Sequence, residues 1–126
     1  MPVKRQAGRA LGPLSHLVRL EAGTQDLEFA RAFQRYMDHL KETGSIEGWR
    51  LSRRKLGFGP KDLGEWHVVM ETKDLAQLDK AFNHVASRRE PVESVHFGVN
   101  SQVCNLTIAL YRDFPDAVRY QGEEKF

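Results

Sequence analysis

The sequence has a single cysteine, no long hydrophobic run and little net charge. Cys104 has no partner for an internal disulfide and lies in an apolar run, so we expect it to pack as a small hydrophobic residue in a reducing compartment. No stretch reaches the roughly 18 apolar residues of a membrane span. The net charge of +2 comes from 19 basic and 17 acidic residues, and is too small to favour a charged partner by itself. We therefore expect one soluble cytoplasmic domain without a membrane partner.

The sequence also lacks the short motifs that specify a reaction. The GFG at residues 57–59 has neither the third glycine nor the following helix of a dinucleotide site, and no P-loop, CxxC or GxSxG is present. His39, His84 and His96 fall on predicted helices without metal-ligand spacing, so we interpret them as surface or packing residues. We accordingly predict no cofactor and no metal.

Hydrophobic spacing predicts the first half of the fold. Alternation over LSHLVRLEA, from Leu14, indicates a first strand. Apolar residues then recur at spacings of three and four from Leu27 to Leu40, which is typical of an amphipathic helix capped by Thr24 or Asp26. The stretch 46–72 holds both tryptophans and the densest basic cluster, and indicates two strands joined by a turn-rich loop.

The second half repeats this plan. Asp74 and Gln77 have the spacing of a capping box at the start of a second helix, whose apolar side carries Leu75, Leu78, Phe82 and Val85. Pro91 suits the first turn of a short third helix. Residues 103–112 alternate again, with Cys104, Leu106, Ile108 and Leu110 on one face and Asn105, Thr107, Ala109 and Tyr111 on the other.

This order of elements predicts an α+β fold of the ferredoxin-like βαββαβ type, with helices on one face of a four-stranded antiparallel sheet. The domain spans residues 14–114, between a flexible basic N-terminal arm (1–13) and a C-terminal tail (115–126). Apolar groups are expected on both sheet faces, at Trp49, Leu51, Trp66, Val68, Val69, Met70, Ala109 and Tyr111. Because two helices can cover only one face, a homodimer is expected to cover the other.

The first strand carries a resemblance to a known superfamily. Its His16-Leu17-Val18, within SHLVRLEA, is similar to the first strand of stress-responsive A/B-barrel proteins, and the chain resembles the dimeric α/β-barrel superfamily over roughly residues 14–112. The closing LYRDFPD suggests an uncharacterised branch. The resemblance implies two sheets packed face to face in a dimer with a cleft between them. Its members include cofactor-independent monooxygenases, lactone isomerases and proteins without assigned activity, so the fold transfers no reaction.

Six side chains are candidates for lining that cleft, with His67 as the best catalytic candidate: His16, Trp49, Arg53, His67, Asn105 and Tyr111. The imidazole of His67 could act as acid, base or ligand, or could be a hydrogen-bonded structural group. His16 and His67 would share a site if their strands present them on one face. Arg53 could hold an anion beside Trp49, or could protect a sheet edge from unwanted pairing.

Three functions follow from these candidates. The first is binding of a small apolar or aromatic molecule in the cleft between the sheets. The second is a cofactor-independent monooxygenase or isomerase of an aromatic or quinone-like substrate, in which His67 abstracts a proton while Asn105 or Tyr111 stabilises the resulting charge. The third is RNA binding, which would explain the basic second strand. We rank it last, because EWHVVMET lacks the basic-Gly-aromatic pattern of RNA-recognition domains.

Overall fold

The computed structural model describes residues 13–114; residues 1–12 of the expected arm and the expected tail lie outside the described residues. In chain order the elements are β1 (Pro13–Leu20), α1 (Asp26–Glu42), β2 (Gly48–Arg53), β3 (Trp66–Glu71), α2 (Leu75–Ala86), α3 (Val92–Asn100) and β4 (Val103–Leu110). The predicted order, including the short helix before the last strand, is confirmed. Within the described part of the chain, no helix combines the length and the hydropathy needed to cross a membrane.

The four strands form one antiparallel sheet in the order β2-β3-β1-β4. β2 therefore lies at a sheet edge, as the basic residues along it predicted. In the central pair, His16 lies opposite Val68 and Leu17 lies opposite His67. Because neighbouring residues of a strand point to opposite faces, this register decides which candidates can meet.

The helices cover one sheet face, and the contacts of α1 show how. Phe29 packs edge-on against Trp66 with ring centroids 5.2 Å apart, and Phe33 does the same against Trp49 at 5.5 Å. Burying aromatic groups of this size stabilises the fold by about 2 to 3 kcal/mol each. The buried core consists of Leu14, Val18, Phe29, Ala32, Phe33, Met37, Leu40, Ile46, Trp66, Val68, Met70, Val92 and Val99.

Both tryptophans thus face the helices, which corrects the expectation that Trp49 lines a cleft between two sheets. Trp49, Leu51, Trp66, Val68 and Met70 all belong to the helix-covered core or pack against it. The open face keeps Val69 and Ala109, together with Leu17 of β1, among polar neighbours. Apolar burial alone therefore argues less strongly for a partner over that face than the sequence suggested.

The helix starts differ in how well the sequence predicted them. Asp74 caps α2 by accepting a hydrogen bond from the Gln77 backbone N–H at 2.8 Å, as predicted. The predicted cap of α1 is wrong, since Gln25 occupies the N-cap without a side-chain hydrogen bond. Asp26 instead accepts from the N–H of Leu27 at 2.7 Å, and Leu27 is exposed.

The loop between β2 and β3 approaches β1 closely at Gly64. A Cβ atom at Gly64 would lie 2.6 Å from backbone atoms of Val18, so only glycine fits there. The Arg54 guanidinium holds the same loop by donating to the carbonyl oxygens of Pro60 and Leu63, at 3.1 and 3.0 Å. Arg54 therefore shapes the loop from within.

At the other edge of the sheet, β4 departs from the expected packing. Leu106, Ile108 and Leu110 lie on the helix face as predicted, but each remains 45 to 51% exposed because β4 is the outermost strand. Cys104 lies at a register irregularity and is exposed, with its thiol 3.4 Å from the carbonyl oxygen of Leu20. The expectation of a buried Cys104 is therefore wrong.

Candidate functional site

The six candidate side chains do not form one site, because they divide between the two faces of the sheet. His16 lies on the helix-covered face with Leu14 and Val18, whereas His67 lies on the open face with Val69. The two histidines stand on adjacent strands but point in opposite directions. The hypothesis that His16 and His67 share a site is therefore wrong for a single chain.

Trp49 and Arg53 also lie on the helix side, where other residues of the chain already engage them. The Trp49 indole N–H donates to Asp38 at 3.3 Å. The Arg53 guanidinium makes ion pairs with Asp26 at 3.1 Å and Glu65 at 3.3 Å, and lies 4.8 Å from the centre of the Trp66 ring. These contacts support a structural role for Arg53 at the β2 edge.

The remaining candidates lie along the open face and β4. His67 Nε2 is 3.0 Å from the hydroxyl of Ser15, a contact that favours a hydrogen-bonded structural role. Asn105 is exposed opposite Arg19, and Tyr111 is exposed just beyond the end of β4. The four strands place no phenylalanine, tyrosine or tryptophan on this face, so His67 is the one aromatic ring that these strands offer there for stacking RNA bases.

Concave space lies instead between the helices and the sheet, in two adjoining and partly open pockets. The first, which we call the α2 pocket, has a volume of about 50 Å³ and is lined by Leu14, His16, Tyr36, Leu40, Ile46, Met70, Thr72, Leu78, Ala81, Phe82 and Val85. The second, the α3 pocket, has a volume of about 110 Å³ and is lined by His16, Val18, Phe29, Phe33, Tyr36, Met37, Val68, Met70, His96, Val99, Asn100, Val103 and Leu106. His16, Tyr36 and Met70 line both, so they form the wall between the two pockets.

Two polar atoms in the lining of these pockets have no hydrogen-bond partner within residues 13–114. His16 Nε2 and Thr72 Oγ1 are buried and have no hydrogen-bond partner among the described residues. A buried polar atom left unpaired costs about 1 to 3 kcal/mol. Such atoms call for a specific explanation, for example a bound molecule that pairs with them.

The two titratable groups in the shared wall are uncharged at neutral pH. Burial lowers the pKa of His16 below 6.5, because desolvation disfavours the imidazolium. Burial likewise raises the pKa of Tyr36 to about 12, which keeps its hydroxyl protonated. His96 packs against the Tyr36 ring with centroids 5.4 Å apart. The wall therefore presents neutral groups that can donate and accept hydrogen bonds.

The sequence predicted this site only in part. His16 was proposed for a cleft on the wrong face, and Tyr36 and Thr72 were not proposed at all. Tyr36 falls at the apolar spacing of α1, and this is the signal that could have identified it, because a hydroxyl carried into an apolar interior needs a partner.

Two helical histidines also meet in a way that their spacing did not predict. His39 of α1 and His84 of α2 have their Nε2 atoms 2.9 Å apart, a hydrogen-bonding distance. Both were interpreted as surface or packing residues, and the contact is consistent with packing between helices. Residues 13–114 contain no group of three or more side chains suited to holding a metal ion.

Solved structures share this fold at low sequence identity. A hypothetical protein from Arabidopsis thaliana superposes with a TM-score of 0.63 at 5% identity, covering 87% of this chain and 92% of that chain. A dimeric protein of unknown function with a ferredoxin-like fold from Bacteroides fragilis gives 0.57 at 11% identity, covering 86% and 99%. A dimeric ferredoxin-like protein of unknown function from Jannaschia sp. CCS1 gives 0.54 at 15% identity, covering 80% and 99%. These similarities establish the ferredoxin-like fold.

Sequence comparisons give a family without a function. No curated protein matches the chain. The model of a family described as a family of unknown function (DUF6614) matches residues 14–126.

Proposed function

We propose that this chain, which belongs to the DUF6614 family of unknown function, binds a small, largely apolar organic molecule between its helices and its sheet. The α3 pocket is the main compartment and the α2 pocket extends it past His16, Tyr36 and Met70. This proposal keeps the ligand class expected from the sequence. It moves the site from the cleft between two sheets to the helix-covered face of one chain.

The observation that carries the proposal is the unpaired Nε2 of His16 in the wall between the pockets. A leucine would fill a similar volume there without the cost of an unsatisfied polar atom. A ligand that offers a hydroxyl or a carbonyl to the imidazole would offset that cost. Thr72 provides a second such atom in the α2 pocket.

Size and polarity define the ligand further. An engineered apolar cavity of about 150 Å³ can hold a benzene molecule. The α3 pocket, at about 110 Å³, is slightly smaller, so a single ring fits after small side-chain movements. Because His16 and Tyr36 are uncharged at neutral pH, the buried part of the ligand is expected to be uncharged as well.

Nuclear magnetic resonance with simple aromatic probes, such as phenol and indole, tests the proposal. We expect intermolecular contacts between probe protons and the Tyr36 and His96 rings. Binding should be lost in Tyr36→Trp, because the larger indole takes up volume in the pockets. His67→Gln is the matched control, because His67 faces the other side of the sheet. Contacts to His67 in place of Tyr36 would show that the ligand occupies the open face, and the proposal would then be wrong.

We also propose that the chain acts as a homodimer that covers the open sheet face, as in a dimeric α/β barrel. Two structural neighbours are described as dimeric, and Leu17, Val69 and Ala109 provide apolar contacts on this face. Sedimentation or light scattering would give twice the mass of the chain. Leu17→Glu would yield monomers, whereas Leu106→Glu on the other face would leave the mass unchanged. A monomeric wild-type protein at micromolar concentration would overturn this part of the proposal.

A further inference from the structure

A third cavity adjoins the α3 pocket on the outside of the helices. This α2–α3 groove has a volume of about 330 Å³ and is lined by Val85, Ala86, Arg88, Glu93, His96, Phe97 and Asn100. His96 and Asn100 also line the α3 pocket, so the groove and the pocket meet at these two side chains. The groove and the α3 pocket are therefore neighbours, with His96 and Asn100 as their common boundary.

Arg88 is the positively charged group of this groove, and the described residues leave it without an ion-pair partner. The ion pairs within residues 13–114 involve Arg53, and Arg88 takes part in none of them. Its backbone N–H donates to the carbonyl oxygen of Val85 at 3.3 Å, and its guanidinium is in no ion pair of the described residues. A guanidinium can bind a carboxylate through two parallel hydrogen bonds.

The backbone conformation at Arg88 also supports a binding role for its side chain. Arg88 follows α2 directly after its C-cap Ser87 and has a φ of 54°, in the left-handed region. Helices commonly end in this conformation with glycine, which adopts it without a steric penalty. An arginine in this position favours a role for its side chain that glycine could not supply.

We propose that the ligand is an amphipathic organic anion whose apolar body occupies the α3 pocket and whose carboxylate binds Arg88 in the α2–α3 groove. The inference deepens the proposed function and rests on it. The α3 pocket accepts only the uncharged part of the ligand, because His16 and Tyr36 in its lining are neutral. The charge belongs in the groove, where Arg88 is exposed and water is available.

Glu93 reduces the preference of the groove for an anion, since its carboxylate lines the same groove. It lies in the first turn of α3 and makes no ion pair with Arg88. A like charge near the bound carboxylate weakens its binding. The inference therefore requires opposite effects from two substitutions: removing Arg88 lowers the affinity for the anion, and neutralising Glu93 raises it.

The test compares 4-phenylbutyrate with 4-phenylbutan-1-ol, which share an apolar body and differ in the charged end. Calorimetric titration of the wild type is expected to show that both bind, with the carboxylate favoured about three- to tenfold at low salt. This preference should shrink towards 0.5 M salt, since salt screens exposed charges. Arg88→Gly should abolish the preference and leave the alcohol affinity unchanged. Glu93→Gln should increase it.

Arg89→Gln is the matched control, because Arg89 is also exposed but does not line the groove. Arg88→Gly should unfold at the same temperature as the wild type or a higher one, since glycine suits the backbone, so lost binding cannot be assigned to misfolding. If both probes bind and Arg88→Gly leaves the preference intact, the inference is wrong while the proposed function stands. If neither probe binds the wild type, the proposed function itself fails.

Discussion

His16 and His67 lie on neighbouring strands but on opposite faces of the sheet, because the register pairs His16 with Val68 and Leu17 with His67. The two residues consequently have different environments. His16 Nε2 is buried without a partner among the described residues, whereas His67 Nε2 contacts the Ser15 hydroxyl at 3.0 Å. This difference predicts opposite responses to the same substitution.

We expect His16→Leu to raise the free energy of unfolding by about 1 kcal/mol, because it removes an unsatisfied buried nitrogen and keeps the side-chain volume. His67→Leu should lower it by a similar amount, because Ser15, which is only 6% exposed, loses its partner. Urea unfolding of both variants at pH 8 measures the two changes. Equal losses in the two variants would contradict the assignment of faces.

The lowered pKa of His16 predicts how stability depends on pH. The unfolded chain takes up a proton on this histidine at about pH 6.5, while the folded chain resists protonation until a lower pH. Stability is therefore lost as the pH falls below about 6.5, down to the pKa of His16 in the folded state, and recovers as the pH rises. Unfolding of the wild type and His16→Leu from pH 8 to pH 5 should show a smaller loss in the variant. Parallel curves would mean that His16 is solvated in the folded protein.

Gly64 should be intolerant of any side chain. We expect Gly64→Ala to lower the free energy of unfolding by about 2 kcal/mol or more, since its Cβ would lie 2.6 Å from the Val18 backbone. Gly98 is the matched control: it lies within α3, and an added Cβ there meets nothing within 4 Å. Gly98→Ala should stabilise the protein by about 0.5 to 1 kcal/mol. Thermal unfolding of the two variants in parallel would distinguish the steric clash expected at Gly64 from the change in backbone entropy that replacing a glycine by alanine brings.

Gln77 ties the start of α2 to the segment that follows α1. Its buried amide donates to the carbonyl oxygen of Gly44 at 3.0 Å and to Glu47 at 3.1 Å, and accepts from the N–H of Lys73 at 2.7 Å. Because three hydrogen bonds are lost together, Gln77→Ala should cost about 2 to 3 kcal/mol in chemical unfolding. Gln34→Ala, at an exposed position of α1, should change stability by less than about 0.5 kcal/mol. A neutral Gln77→Ala would show that water replaces these bonds.

Much of the fold could be predicted because the relevant signals are local. The Asp74 cap with Gln77 three residues later predicted the start of α2, and apolar spacing from Leu27 to Leu40 identified α1. The exposure of Leu27, Leu75 and Phe82 escaped prediction, because the helical period does not say how far the sheet extends beneath a helix. Arg53 was correctly placed on an edge strand, but its ion pair with Asp26 joins residues 27 positions apart.

The sequence by itself determined the order of elements and the alternation within each strand, because both depend on interactions between residues close along the chain. Only the tertiary structure decided which face of each strand the helices would cover, since a shift of one residue exchanges the faces. That decision turned His16 towards Tyr36 and the interior pockets and left His67 outside. The candidate site consequently lies under the helices, among side chains that come together only when the sheet and helices pack.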